Sequence, residues 1–173
     1  MEANQNERAL HFAYAKLISE MGKATGEELA YHLERSFTAG DSNYDAQIRY
    51  GRQLFLNDDL IASKKSFDQL KNIRAPAEVR NRLLYPLPDL FQGKIVKIES
   101  SYVFIARDGL ADWIYCHISD VDDTAWNQLT FGTRVSFKIS FGIRGANAHS
   151  VAIIGRQIET KESQIKLFKT PSA

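Results

Sequence analysis

Apolar residues are spaced for helices in the first half of this chain and for strands in the second, and the change falls near residue 85. Leu10, Tyr14, Leu17, Ile18 and Met21 recur at i, i+4, i+7, i+8 and i+11, which places them on one face of a helix. Gly22 to Gly26 breaks that pattern. Thr25 followed by Glu28 is a capping-box start for a second helix, carrying Leu29, Leu33 and Phe37. Gly40-Asp-Ser-Asn43 reads as a turn, with Ser42 as the N-cap of a third helix. That helix presents Tyr44, Ile48, Gly51, Leu54 and Phe55. Asn57-Asp-Asp59 ends it, and a fourth carries Leu60, Ser63, Phe67 and Leu70. Pro76 suits the first turn of a short fifth helix with Val79 and Leu83 inward.

Tyr85-Pro-Leu-Pro-Asp89 forbids a helix and favours an extended connection. Beyond it the period is two: residues 93–99, 101–107, 112–118, 132–140 and 146–154 read as strands, with Asp108-Gly109 turning between the second and third. Five short strands in about 65 residues predict a small closed antiparallel barrel of the OB-fold type. The expected class is therefore α+β. A helical segment (8–84) is followed by a Pro-rich linker (85–90), a barrel (91–156) and a tail (157–173) whose Ile158, Ile165, Leu167 and Phe168 suit a short packed element.

Composition narrows the picture. The 173 residues are 44% hydrophobic and 25% charged, as in a folded globular protein. No apolar run approaches the ~18 residues of a membrane span, and the polar Met1–Glu7 is unlike a secretory signal. The single cysteine, Cys116, fits a reducing compartment, so the cytoplasm is the expected location. A formal net charge of +1 does not by itself argue for a polyanionic partner. Recognition must rest on local geometry.

That geometry lies in the strands. Alternation puts Tyr102 and Phe104 on one face with Val103 and Ile105 on the other, and Tyr115 and His117 together with Ile114 and Cys116 opposite. Rings on adjacent strands form a platform on which unpaired bases stack. This implies binding of single-stranded RNA or DNA rather than catalysis. Lys94, Lys97, Arg107, Lys138 and Arg144 are candidates to track phosphates, opposed by Asp120, Asp122 and Asp123, and Trp113 and Phe141 are candidates for further rings at the rim. The expected affinity is modest and salt-dependent. His11, His32 and His149 are scattered, and the pairs Glu27-Glu28, Asp58-Asp59 and Asp122-Asp123 fall at caps and turns, so no catalytic residue, metal or cofactor is expected. Lys64-Lys65 reads as a solvated helix face. The alternative is a protein–protein adaptor in which the barrel is structural.

Two resemblances sharpen these expectations. Residues 91–154 resemble a bacterial cold-shock domain. Gly93-Lys-Ile-Val-Lys97 stands at the first strand, Ser101-Tyr-Val-Phe-Ile105 and Ile114-Tyr-Cys-His117 are similar to the two ribonucleoprotein motifs, Gly132-Thr-Arg-Val-Ser-Phe137 matches the fourth strand, and Gly142-Ile-Arg-Gly145 the final hairpin. The resemblance implies base stacking by Tyr102, Phe104, Tyr115 and His117. It departs at Ile98, where that family has a ring, at the short Glu99-Ser100 loop, at Ser101 in place of a lysine and at Ile118 in place of phenylalanine. Residues 44–76 are similar to a tetratricopeptide repeat through Tyr50-Gly51, Ser63, Phe67 and Pro76. Tyr14-Ala15 lies 36 residues before Tyr50-Gly51, near that family's period of about 34. Such repeats imply docking of a protein partner or of the missing part of a longer chain, with Tyr14, Tyr31, Tyr50 and Phe55 expected mainly as packing residues. Helical repeats before such a barrel also resemble the C-terminal end of large bacterial defence-type NTPases, although this chain has no phosphate-binding loop.

Overall fold

The computed structural model describes residues 2–71, 75–80 and 86–155; Leu83, Tyr85 and the tail 157–173 lie outside the described residues. Four helices come first: α1 (Glu2–Met21), α2 (Gly26–Glu34), α3 (Tyr44–Leu56) and α4 (Leu60–Lys71), each packed against the next. Thr25 caps α2 by accepting the Glu28 N–H at 3.1 Å. The cap of α3 is Asn43, not Ser42. The Asn43 side chain accepts from the Ala46 N–H at 3.3 Å, while Asp41 accepts the Asn43 N–H at 2.9 Å and fixes the turn. A short α5 (Ala77–Arg80) starts on Pro76, whose carbonyl accepts from Val79 and Arg80.

The first helix begins earlier than the apolar stripe suggests, and most of that stripe faces outward. Ala15 and Ile18 are its buried residues, whereas Leu10, Tyr14, Leu17 and Met21 are exposed, as is Tyr31 of α2. Contact between α1 and α2 is largely aromatic. His11 and His32 approach Nδ1 to Nδ1 at 2.8 Å, within a cluster that includes Tyr14 and Tyr31. Burial, then the neighbouring His11, lowers the pKa of His32 below its ordinary 6.5; Glu28 opposes the shift and Arg35 adds to it. With the folded value below the unfolded one, the unfolded chain binds the proton first as pH falls. This contribution to stability is therefore intact above about 6.5 and is lost progressively below it. Protection factors of the α1 amides, which correct for the intrinsic slowing of exchange in acid, should fall between about pH 7.5 and 5, and much less in His32→Gln. An equal response in both proteins would assign the loosening elsewhere.

The third and fourth helices touch closely because of three residues. A Cβ at Gly51 would stand 2.7 Å from the Phe67 ring, and Ser63 donates its hydroxyl to the Gly51 carbonyl at 2.8 Å. Phe67 is itself buried and has no room to yield. Gly51→Ala should thus cost about 1–3 kcal/mol in urea denaturation; an unchanged midpoint would mean that the helices part freely.

Five strands complete the described chain: β1 (Phe91–Ile98), β2 (Tyr102–Arg107), β3 (Trp113–His117), β4 (Arg134–Gly142) and β5 (Gly145–Ile153). They close into a barrel in the order β1-β2-β3-β5-β4. The barrel is not wholly antiparallel, because β3 and β5 run parallel and meet at Tyr115 and Asn147. A single 3-10 turn (Ile118–Asp120) and a short α6 (Asp123–Trp126), capped by Asp122, fill the β3–β4 connection, where the sequence pattern predicts no helix. Inward positions Ile95, Val103, Ile105, Ile114, Cys116, Val135, Phe137, Ile139 and Ala148 are fully or almost fully buried. The alternation of two thus holds through β2 and β3, and is interrupted by register shifts in β1 and in the β4–β5 pair.

Helices and barrel share one core. Ile48, Phe55, Phe67 and Leu70 join the barrel residues in a continuous cluster. Phe141 lies at their meeting point, 0% exposed, edge-on to Phe55 (5.2 Å, 78°) and stacked over Phe67 (6.3 Å, 17°). It cannot be a rim ring for bases, because α3 and α4 cover this end of the barrel. Arg107 is likewise unavailable to phosphates. Its guanidinium is buried 4.4 Å over the Phe55 ring and holds Asp112 with contacts of 2.6 to 3.0 Å. The connection through Leu87 is anchored too: its side chain is buried and its N–H donates to the Ile139 carbonyl at 2.8 Å.

Candidate nucleic-acid interface

The outer side of β1–β3 carries the rings. Cross-strand register sets them in rows: Lys97 beside Phe104 beside Tyr115, Tyr102 beside His117, and Lys94 beside Ala106 beside Trp113. A bulge in β1 between Ile95 and Lys97 shifts the register so that Lys97 faces outward with Phe104. Tyr102 and Tyr115 lie 5.4 Å apart and tilted by 31°, Phe104 meets both edge-on at 5.7 and 6.0 Å, and Trp113 extends the row 6.2 Å from Phe104. Tyr102, Phe104 and Tyr115 are half-buried against one another, while Trp113 is 61% exposed. The rings therefore hold each other in place and leave one side to solvent.

His117 closes the row with a structural task of its own. The Ser119 N–H donates to His117 Nδ1 at 3.2 Å, and the Ser119 hydroxyl lies 2.9 Å from the same atom. Nδ1 is an acceptor here, so the ring carries its proton on Nε2, and only that edge is left to meet a ligand. Burial raises the pKa of the Tyr115 phenol, against the opposing charge of Arg144, so the hydroxyl stays a donor at neutral pH.

Charge around the rings is local. Lys94 and Lys97 border the platform from β1, and Arg144 projects from the tip of the β4–β5 hairpin; all three are exposed. Lys97 pairs with Glu99 at 3.0 Å, which raises its pKa and divides its charge between partner and solvent. Lys138 is exposed on β4 opposite His149. Of the eight residues expected to contact nucleic acid, the structure brings Lys94, Lys97, Tyr102, Phe104, Tyr115 and His117 together on one face, sets Arg144 at its edge, and removes Phe141 to the core. Trp113 joins the row as its most accessible ring. Its signal in the sequence is its position two residues before Tyr115 on an alternating strand.

Among the described residues, no group of three or more His, Cys, Asp or Glu side chains is placed to hold a metal ion. Cys116 lies in the barrel core, where burial pushes its thiol up to about 12. No described helix is long and apolar enough to cross a membrane. No family model matches the chain, and no curated protein matches its sequence. Fold and surface together define a mixed α+β protein whose closed five-stranded barrel carries an aromatic face.

Proposed function

We propose that this protein binds single-stranded RNA or DNA on the outer face of β1–β3. The observation that carries the proposal is the unbroken row Tyr102, Tyr115, Phe104 and Trp113, flanked by Lys94 and Lys97. Rings a few ångströms apart on one outer face, braced edge-on and tilted against one another, offer surfaces on which bases stack, and the bordering cations meet the phosphates between them. His117 Nε2 and the Tyr115 hydroxyl supply hydrogen bonds at the edge of the row. On this account the barrel is an OB-type module of the cold-shock kind, and it works in the cytoplasm without cofactor or catalysis. The helical hairpins, read as tetratricopeptide-like, dock a protein partner or the rest of a longer chain. The exposed stripe Leu10, Leu17 and Met21 on α1 favours that docking role; it is also the observation behind an adaptor function in which the barrel is only structural.

Fluorescence anisotropy with labelled single-stranded RNA, single-stranded DNA and duplex at low and physiological salt tests the proposal. The expected result is binding of one or both single strands, weakening with salt, and little binding of duplex. No binding at micromolar protein would leave the adaptor.

A further inference from the structure

The aromatic row does not end at the barrel. Phe104, Trp113 and Tyr115 also form one wall of an open groove of about 1200 Å³, and the opposite wall is the outer side of α4, with Ile61, Lys65 and Gln69. Building on the single-strand reading above, we propose that the strand leaves the rings and continues along this groove, its phosphates held between Lys65 of α4 and Arg144 of the β4–β5 hairpin. Helices and barrel would then make one binding surface.

Charge favours a polyanion over an apolar peptide. Both acidic residues that line the groove are engaged: Asp68 with Lys64 at 2.5 Å, and Asp112 with the buried Arg107. Lys65 and Arg144 have no acidic partner among the described residues, so the groove carries a net positive charge although the whole chain is nearly neutral. Each rim also offers an apolar surface for a base, Ile61 at 86% exposure and Trp113 at 61%.

The two walls are fixed in place before any ligand arrives. Phe67 of α4 packs on Phe141 of β4, and a Cβ at Gly145 would stand 3.5 Å from the Phe67 ring, so the hairpin bearing Arg144 lies directly on α4. Gly145 has φ +108°, a conformation open to glycine, which holds the hairpin tip in this position. A preformed groove spares the strand the cost of ordering its second wall.

Oligothymidylates of about 4 and about 16 nucleotides, which span the site sizes of such barrels, separate the face from the groove. In Lys65→Gln, affinity for the longer oligomer should fall about threefold to fivefold, with the salt slope shallower by about 0.7, while the short oligomer is unaffected. A fluorophore on Ile61→Cys should respond to the longer oligomer only. The native Cys116 is buried and its thiol stays protonated, so labelling is confined to position 61. Unchanged affinity and slope in Lys65→Gln, with binding still weakened by Phe104→Ala/Tyr115→Ala, would overturn the groove path and leave the aromatic face standing. A label that answers to an apolar peptide but not to the oligomer would overturn it as well. Absence of binding by the unaltered protein to oligothymidylate and to oligouridylate of either length would remove both proposals.

Discussion

Phe104→Ala/Tyr115→Ala is expected to weaken single-strand binding by about 30- to 1000-fold, equivalent to about 2–4 kcal/mol. Each stacked base contributes about 1–3 kcal/mol by alanine replacement. The sum is held below twice the upper figure because the two rings touch, at 6.0 Å, and so are not independent. Both side chains stand on the outer side of the barrel, so the inward row Val103, Ile105, Ile114 and Cys116 is untouched and the double variant should stay folded by circular dichroism. Tyr115→Phe keeps the ring and loses only the hydroxyl's hydrogen bond, so it should weaken binding by about twofold to tenfold, far less than the double variant. Anisotropy titrations of the three proteins decide the matter. Full affinity in a folded double variant would show that the rings do not carry the ligand.

The second large effect is on stability. Phe141→Ala should destabilise the whole molecule by about 3–5 kcal/mol, the usual cost of emptying a core phenylalanine site. That is a substantial part of the ~5–15 kcal/mol that holds a domain folded. The cavity would open between Phe55 and Phe67, where the helices meet the barrel, and leave both rings without their partner. The buried Arg107, stacked on Phe55, would lose part of its apolar cover as well. Urea denaturation should show one shifted transition rather than two, because the cluster runs unbroken from Ile48 and Leu70 into the barrel. The role of a base-stacking ring would give the opposite pattern, lost affinity with unchanged stability. Phe141→Leu, which fills most of the space, should fall between.

These two phenylalanines also mark how far the fold and site can be read from the chain. Phe104 is legible because a period of two assigns its face from strictly local information, and the same reasoning correctly sorts Tyr102, Tyr115 and His117 from Val103 and Cys116. Phe141 follows Ile139 by two and shares its inward face, so the same period places it in the core; its position beside the hairpin points to the rim instead, and only the fold supplies its partners Phe55 and Phe67 from α3 and α4. Arg107 is misjudged for the same reason. An arginine on a strand next to a turn looks exposed until Asp112 and Phe55 are seen to enclose it. The stripe on α1 errs in the other direction. Its spacing identifies a helix correctly, yet spacing alone does not say that a neighbour covers each apolar face, and here Ala15 and Ile18 suffice for the contact with α2. The parallel β3–β5 pair escapes notice because alternation reveals faces and is silent on strand direction. Lys65 looks like part of a solvated face, since only the folded chain brings α4 opposite Trp113.

Closing β3 on β5 has one more consequence. Closure of the barrel protects the strand edges of β1, β2 and β4, and leaves the β3–β5 seam as the place where an edge is least covered. The ladder that completes the circle is also the shortest, comprising the Tyr115–Asn147 pair and the nearby Val121–Val151 bridge. This joint, with the fewest backbone hydrogen bonds to break, is where the barrel opens at least cost. Tyr115 belongs to that joint and to the aromatic row at once. On the proposed function, a base stacked on this ring would bind the closed barrel in preference to the opened one, and so couple occupancy of the face to closure of the sheet.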